Sequence, residues 1–405
     1  MAEEKKEATE AQKSFMDKYG IWLFAFGYFA AYWPYSAITK LVTDNKLPET
    51  LANDHWLRGI CQGLPGPEVL PLSVFASVIG AYLFLTFRGL WGYAKYYKIG
   101  PLNVPGPDLP TLGSGLCSSL IIVTTTLAYT FTGVSIIFIM LLMRGGLLLL
   151  TPVIDMLNKR TVRWFSWIGM ILSLVSLIVT FLMKNHGKTF DFLGAFGNTP
   201  EAQGACITNL CVYLSAYFGR LSLMSKKAKS KDPETNTRYF VREQLVSSPS
   251  LFIMVLILAI IGGFTPDWKF GQELHAGITT IFTNFTPIVP IMVFLIGVFS
   301  AGNGIFGGLI LLDKNENTYT VPVNRCSSII AGLLATATVT FLTTGNISVK
   351  PEEAVGAGII IFAIFFLTIP LFFKTKPAEA QPATEEKKEE VKTEGEEKEI
   401  TNEEK

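Results

Sequence analysis

Two arginines, Arg144 and Arg325, lie inside long apolar runs of this chain. A guanidinium stays charged in any protein setting, and its planar fork of donors matches carboxylate and phosphate oxygens. At the centre of a bilayer such a side chain costs about 2.5–3.5 kcal/mol on insertion scales, so its retention points to a role. Arg144 stands about eleven residues into its run, about 17 Å at helical rise, too deep to reach the interface by snorkelling. Arg325 stands about seven residues into its own run, nearer the cytoplasmic face. Two such cations offer one chemistry above others: a clamp for a small anion through charge-assisted hydrogen bonds. The competing reading is internal pairing, with a span carbonyl, with Asp313 for Arg325, or with Asp155 for Arg144. Asp155 is three turns along the same helix from Arg144, a poor separation for a partner.

Uncharged polar residues gather in the same runs. Thr124, Thr125, Thr126 and Tyr129 close the third run. Asn209, Tyr213 and Tyr217 recur four apart, which places them on one helix face. Ser300 and Asn303 sit among Gly302, Gly304, Gly307 and Gly308, and the first run carries Tyr28, Tyr32 and Tyr35. The candidate substrate-binding set is Arg144, Arg325, Tyr129, Thr126, Asn209, Tyr213 and Asn303. Such a set would line a wet, aromatic cavity suited to an anion that carries a ring or a sugar. Interhelical hydrogen bonding and close packing through small residues compete with that reading, most strongly for the glycines.

These residues need membrane-spanning helices to position them. A mean hydropathy of +0.38 with 49% hydrophobic residues is too apolar for a soluble chain of 405 residues. The apolar residues also come in unbroken runs long enough to cross about 30 Å of hydrocarbon as helices. About ten such runs lie near 20–42, 68–87, 111–130, 133–156, 162–183, 205–224, 246–265, 288–312, 318–343 and 354–373. The expected fold is an all-α integral membrane protein. Its ten helices divide into two five-helix repeats, 20–183 and 205–373, joined by a loop at 184–204. Five is odd, so the second repeat enters from the opposite side and is inverted relative to the first. Arg144 and Arg325 then fall at matching places in the two repeats.

Residues 1–19 form a charged segment with no apolar core of a cleaved signal peptide. Residues 374–405, rich in Glu and Lys, cannot bury enough apolar surface to offset ordering and read as a disordered tail. With both ends cytoplasmic, most Lys and Arg near the spans fall inside, led by Lys226, Lys227, Lys229, Lys231, Arg238 and Arg242 in a 225–242 loop. Trp91, Tyr93, Lys95, Tyr97 and Lys98 read as an anchor at the same interface. Arg220 receives the same reading. The five cysteines show no metal spacing and read as small buried hydrophobes. No catalytic signature is present, and in-span Asp and Glu are scarce, which argues against a carboxylate proton relay.

This layout resembles the drug/metabolite transporter (EamA-like) superfamily. The resemblance rests on the ten-helix pattern with short links between helices 3–4 and 8–9. It rests also on Thr124-Thr-Thr-Leu-Ala-Tyr-Thr-Phe-Thr-Gly-Val-Ser135 and on the polar helix and basic loop of 205–245. It covers roughly residues 20–373. It implies two inverted repeats, a central cavity faced by helices 4 and 9, and secondary transport by alternating access. Where the family often has proline or small polar residues on those helices, this chain has Arg144 and Arg325.

The expected function is transport of a small organic anion: a phosphorylated metabolite, a nucleotide sugar or a carboxylate. Exchange of anions suits a site with fixed cations and no proton-carrying carboxylate. The alternatives are an anionic lipid or lipid precursor as cargo, and a scaffold role through the tail or the long outer segments. The expected partners are the anionic substrate and membrane lipids, with a protein partner under the scaffold reading and no nucleic acid. No enzyme activity, cofactor or metal is expected. The plasma or inner membrane is the default location.

Overall fold

The computed structural model describes residues 2–43, 56–99, 101–128, 136–184, 196, 199–229, 232–347 and 350–372. Among them the α-helices are α1 (Ala2–Thr43), α2 (Gly66–Phe87), α3 (Leu109–Leu127), α4 (Ile136–Leu157), α5 (Trp164–Lys184), α6 (Pro200–Lys227), α7 (Pro233–Phe264), α8 (Lys269–Thr279), α9 (Ile288–Leu311), α10 (Asn317–Thr344) and α11 (Pro351–Phe372). Helices occupy all ten apolar runs. Seven of them, α2, α3, α5, α7, α9, α10 and α11, are long and apolar enough to cross a membrane. The chain is a helical integral membrane protein.

Three features depart from the sequence expectation. The 225–242 loop is mostly helix, because α6 runs on to Lys227 and α7 begins at Pro233. Asp232 caps α7: its carboxylate accepts from the backbone N–H of Glu234 and of Thr235, both at 3.2 Å, and proline is at home in a first helical turn. The aromatic and basic segment after α2 is a hairpin, β1 (Lys95–Ile99) against β2 (Leu102–Gly106), antiparallel with Tyr97 opposite Val104. Between the apolar runs 246–265 and 288–312 lies a further helix, α8, which buries Phe270, Leu274 and Gly277 on one stripe against α2 and α7.

The long helices other than α5 and α11 form two groups. In one, α1 packs on α9 and α10, and α2 packs on α9. In the other, α3 packs on α6 and α7, and α4 packs on α6. Contacts of α2 with α7 and of α4 with α10 join the groups, while α5 and α11 pair with each other. That pairing is close: a methyl on Gly169 would meet Leu367, and one on Gly356 would meet Thr180. Ser176 Oγ donates to the Gly356 carbonyl at 2.8 Å across the same seam.

A buried polar cluster ties the groups together where α4, α6 and α9 finish, here called the basic end. Asp155 Oδ1 accepts from Asn317 N (2.9 Å) and Nδ2 (2.8 Å), and Oδ2 accepts from Thr318 N and Oγ1 (both 2.7 Å). The carboxylate thus caps the N-terminus of α10 from a different helix and complements its dipole. Arg163 pairs with Glu316, Nε to Oε1 at 2.9 Å and Nη2 to Oε2 at 2.8 Å. Arg160 donates to the carbonyls of Lys314, Ser225 and Lys229. Lys229 Nζ donates to the Asn315 carbonyl (3.0 Å) and Thr320 Oγ1 (3.2 Å).

Burial, with Arg160 alongside, pulls the Lys229 ammonium down to about 7. The unfolded chain takes up this proton near the ordinary lysine value, about 10.4. Protonation is therefore penalised in the folded state, and stability falls as pH drops from about 10 toward 7, then levels. Thermal unfolding in detergent should show wild type gaining stability relative to Lys229→Met as pH rises through that window. Parallel pH profiles would contradict it.

Candidate functional site

A cavity of about 400 Å³ lies between the two helix groups, lined by α1, α2, α3, α4, α6, α7, α9 and α10 and by neither α5 nor α11. Pairs of helices contribute lining residues at equal intervals. On α1 the lining residues are Tyr28, Tyr32 and Tyr35; on α6 they are Tyr213, Tyr217 and Arg220, again four and then three apart. On α2 they are Leu70, Ser73, Val74 and Ser77; on α7, with the same intervals, Gln244, Ser247, Ser248 and Leu251. The pair Met143-Arg144 on α4 has its counterpart in Asn324-Arg325 on α10. These intervals are those of a single helix face turned toward the cavity.

Both arginines of the sequence reading line it. Arg325 Nη2 donates to the Tyr217 hydroxyl at 2.7 Å, and its guanidinium lies 5.8 Å from that ring's centre. Its Nε is buried with no partner among the described residues. Arg144 makes no hydrogen bond or ion pair among them, with Asp155 or otherwise; Asp155 is taken up by α10. Asp313 bonds Asn315 instead of Arg325.

A third arginine, Arg220, is neutralised. Its Nε donates to Glu243 Oε1 at 2.8 Å, and the same oxygen accepts from Ser114 Oγ at 2.8 Å. The interfacial reading of Arg220 is thereby replaced by a buried ion pair. Glu243 falls between the 225–242 segment and the apolar run that begins near 246, so hydropathy gives no reason to single it out. Glu243→Gln should leave the Arg220 charge uncompensated and cost about 3 kcal/mol. A loss of thermal stability in detergent, recovered in part by the further change Arg220→Met, checks this.

With Arg220 paired, the lining holds two uncompensated cations and, among the described residues, no acid. Guanidinium groups do not lose their protons, so the cavity is positive at every physiological pH. Its walls are aromatic and polar. Tyr28 stacks on Tyr32 at 5.6 Å, Tyr32 meets Tyr35 at 5.6 Å, and Tyr213 meets Tyr217 edge-on at 4.9 Å. Asn303 Oδ1 is buried at the cavity with no hydrogen-bond partner among the described residues.

Of the seven candidate residues, Arg144, Arg325, Tyr213, Thr126 and Asn303 line this one cavity. Thr126 already donates its hydroxyl to the Ile122 carbonyl at 2.9 Å. Asn209 is elsewhere: its Nδ2 donates to the Thr124 carbonyl at 2.9 Å and clips α6 to α3. Tyr129 lies outside the described residues. Gln244 and Asn324 join the lining without having been singled out in the sequence. Asn324 adjoins Arg325, but two successive helix positions point about 100° apart, so adjacency alone gave no signal. Neither a protein-family model nor a curated protein sequence matches the chain.

Proposed function

We propose that this protein is a secondary transporter of the drug/metabolite kind that carries a small organic anion by alternating access. One observation carries the reading: Arg144 and Arg325 face one cavity whose described lining contains no acid. An anion entering it exchanges hydration for two fixed guanidinium groups in a setting of low dielectric, where charge-assisted bonds are strong. The tyrosines give a flat or hydroxylated body surfaces to stack on, and Asn303 Oδ1 accepts from a hydroxyl or amine. The 400 Å³ volume suits a small metabolite.

The internal symmetry supports alternating access. On this reading helices α1–α5 and the set α6, α7, α9, α10 and α11 are two repeats of five, with α8 an insertion. The lining intervals on α1, α2 and α4 repeat on α6, α7 and α10. The contact of α1 with α9 corresponds to that of α6 with α3, and α2 with α9 to α7 with α3. The α5–α11 seam is reciprocal too. Eleven residues separate Gly169 from Thr180 on α5, and eleven separate Gly356 from Leu367 on α11; each glycine meets the other helix's distant residue. Such a two-fold, applied to repeats of five spans, inverts one against the other and gives two exchanged shapes of equal standing. The basic end is the cytoplasmic face on the positive-inside rule. A cavity with fixed cations and no titrating carboxylate suits exchange of one anion for another.

The test is ligand-induced thermal stabilisation of the purified protein across sugar phosphates, nucleotide sugars, carboxylates, amino acids and lipid headgroups. Saturable stabilisation by one class of anion is expected. Equal response to neutral analogues, or none to any anion, would overturn the reading.

A further inference from the structure

The cavity ends, on the basic side, against the buried polar cluster. Its last lining residues there, Leu311 and Asn324, are two residues from Asp313 and one turn from Thr320. Beyond them Asp155, Arg160, Lys229 and Glu316 are at most 9% exposed. We infer that this cluster is the inner gate of the carrier: its bonds between the α9–α10 turn and the ends of α4 and α6 close the cavity at the basic end and part when cargo passes there. The inference rests on the transport reading above.

The placement of the bonds is the first reason. Asp155 reaches from α4 to Asn317 and Thr318; Lys229 reaches from the end of α6 to Asn315 and Thr320; Asn317 Nδ2 donates back to Ser225 Oγ on α6 at 2.8 Å. Each crosses from the α3–α4–α6–α7 group to the group containing α9 and α10. Arg163 and Ser166, at the start of α5, hold Glu316 of the same turn, Ser166 Oγ at 2.6 Å from Oε1. Any rocking of one group against the other that opens the basic end must break the bonds made by Asp155, Lys229 and Ser225.

The chemistry of the contacts is the second reason. At the opposite end α2 and α7 meet through apolar side chains, including Val74, Leu251 and Val255, with Phe75 and Phe252 at 5.6 Å. Buried ion pairs add little net stability over an apolar filling of the same space, because desolvation offsets their attraction. What they offer is exchange: on separation, each carboxylate and cation recovers its loss from water. A polar seal therefore opens at lower cost than an apolar one of equal area.

Cysteine accessibility tests this directly. Ser300→Cys puts a thiol in the cavity wall, and a membrane-impermeant maleimide is applied to the basic face in vesicles of defined sidedness. Lys229→Met, which removes the bonds from the end of α6 to Asn315 and Thr320, should speed its labelling from that face by about tenfold. Ser225→Cys with Asn317→Cys, replacing side chains already hydrogen-bonded, should form a disulfide on oxidation that suppresses labelling from the basic face and releases it on reduction. Unchanged labelling under both perturbations, in monodisperse protein, overturns the gate. Labelling needs no cargo, so a gate that responds in a protein that binds no anion would stand while the transport reading falls. An anion carried with the disulfide closed would overturn the gate and leave transport intact.

Discussion

Replacing Arg144 and Arg325 together by glutamine is expected to abolish anion binding while leaving the fold intact. A hydrogen bond to a charged partner contributes about 2 kcal/mol, so each substitution should weaken affinity by about 30-fold and the pair by about a thousandfold. Neither residue carries much of the packing: Arg144 has no bonded partner among the described residues, and Arg325 makes one bond, from α10 to the Tyr217 hydroxyl on α6. Removing two uncompensated cations from the membrane interior should leave thermal stability unchanged or raise it. Arg325→Lys keeps the charge and loses the fork, and should fall between wild type and Arg325→Gln. Isothermal titration with the stabilising anion, run beside unfolding curves, separates loss of site from loss of fold. Wild-type affinity in the double variant would remove the arginines from the site.

The second large effect is expected at Asp155. It is fully buried and accepts four hydrogen bonds, two from backbone N–H groups that open α10. Asp155→Ala strands those donors and removes the charge that complements Arg160, a loss of about 3–5 kcal/mol. Asp155→Asn keeps one acceptor oxygen and should cost less. Because α10 carries Arg325, the alanine variant should also lose anion affinity in proportion to the disorder at that helix start. A melting temperature equal to wild type would show that the cap is dispensable.

How far the sequence could be read follows from what each signal encodes. Arg144 was legible because a charge within an unbroken apolar run has few meanings. Hydropathy marks the part of a helix in hydrocarbon and not the helix itself, so Arg242 reads as loop and Glu243 goes unremarked, although both lie in the early turns of α7. The legible signal there was Asp232-Pro233, a cap followed by a first-turn proline. The four-residue spacing of Asn209 and Tyr213 gives a shared face but not how far round or how deep each side chain points, and Asn209 ends on a neighbouring carbonyl. The eleven residues of α8 are too short and polar for a span search, although Phe270, Leu274 and Gly277 keep helical period. Asp155 was judged correctly as too far along α4 to serve Arg144. Its actual partner, the start of α10, is 162 residues away, a contact that a single sequence does not encode.

The central claim, that the cavity carries an anion across the membrane on Arg144 and Arg325, is tested most directly by uptake into proteoliposomes. Vesicles preloaded with the anion class that stabilises the protein should accumulate the labelled anion saturably. Vesicles bearing the Arg144→Gln, Arg325→Gln variant, folded and inserted to the same level, should match protein-free controls. Wild-type uptake no faster than protein-free vesicles, or equal uptake by the double variant, would contradict it.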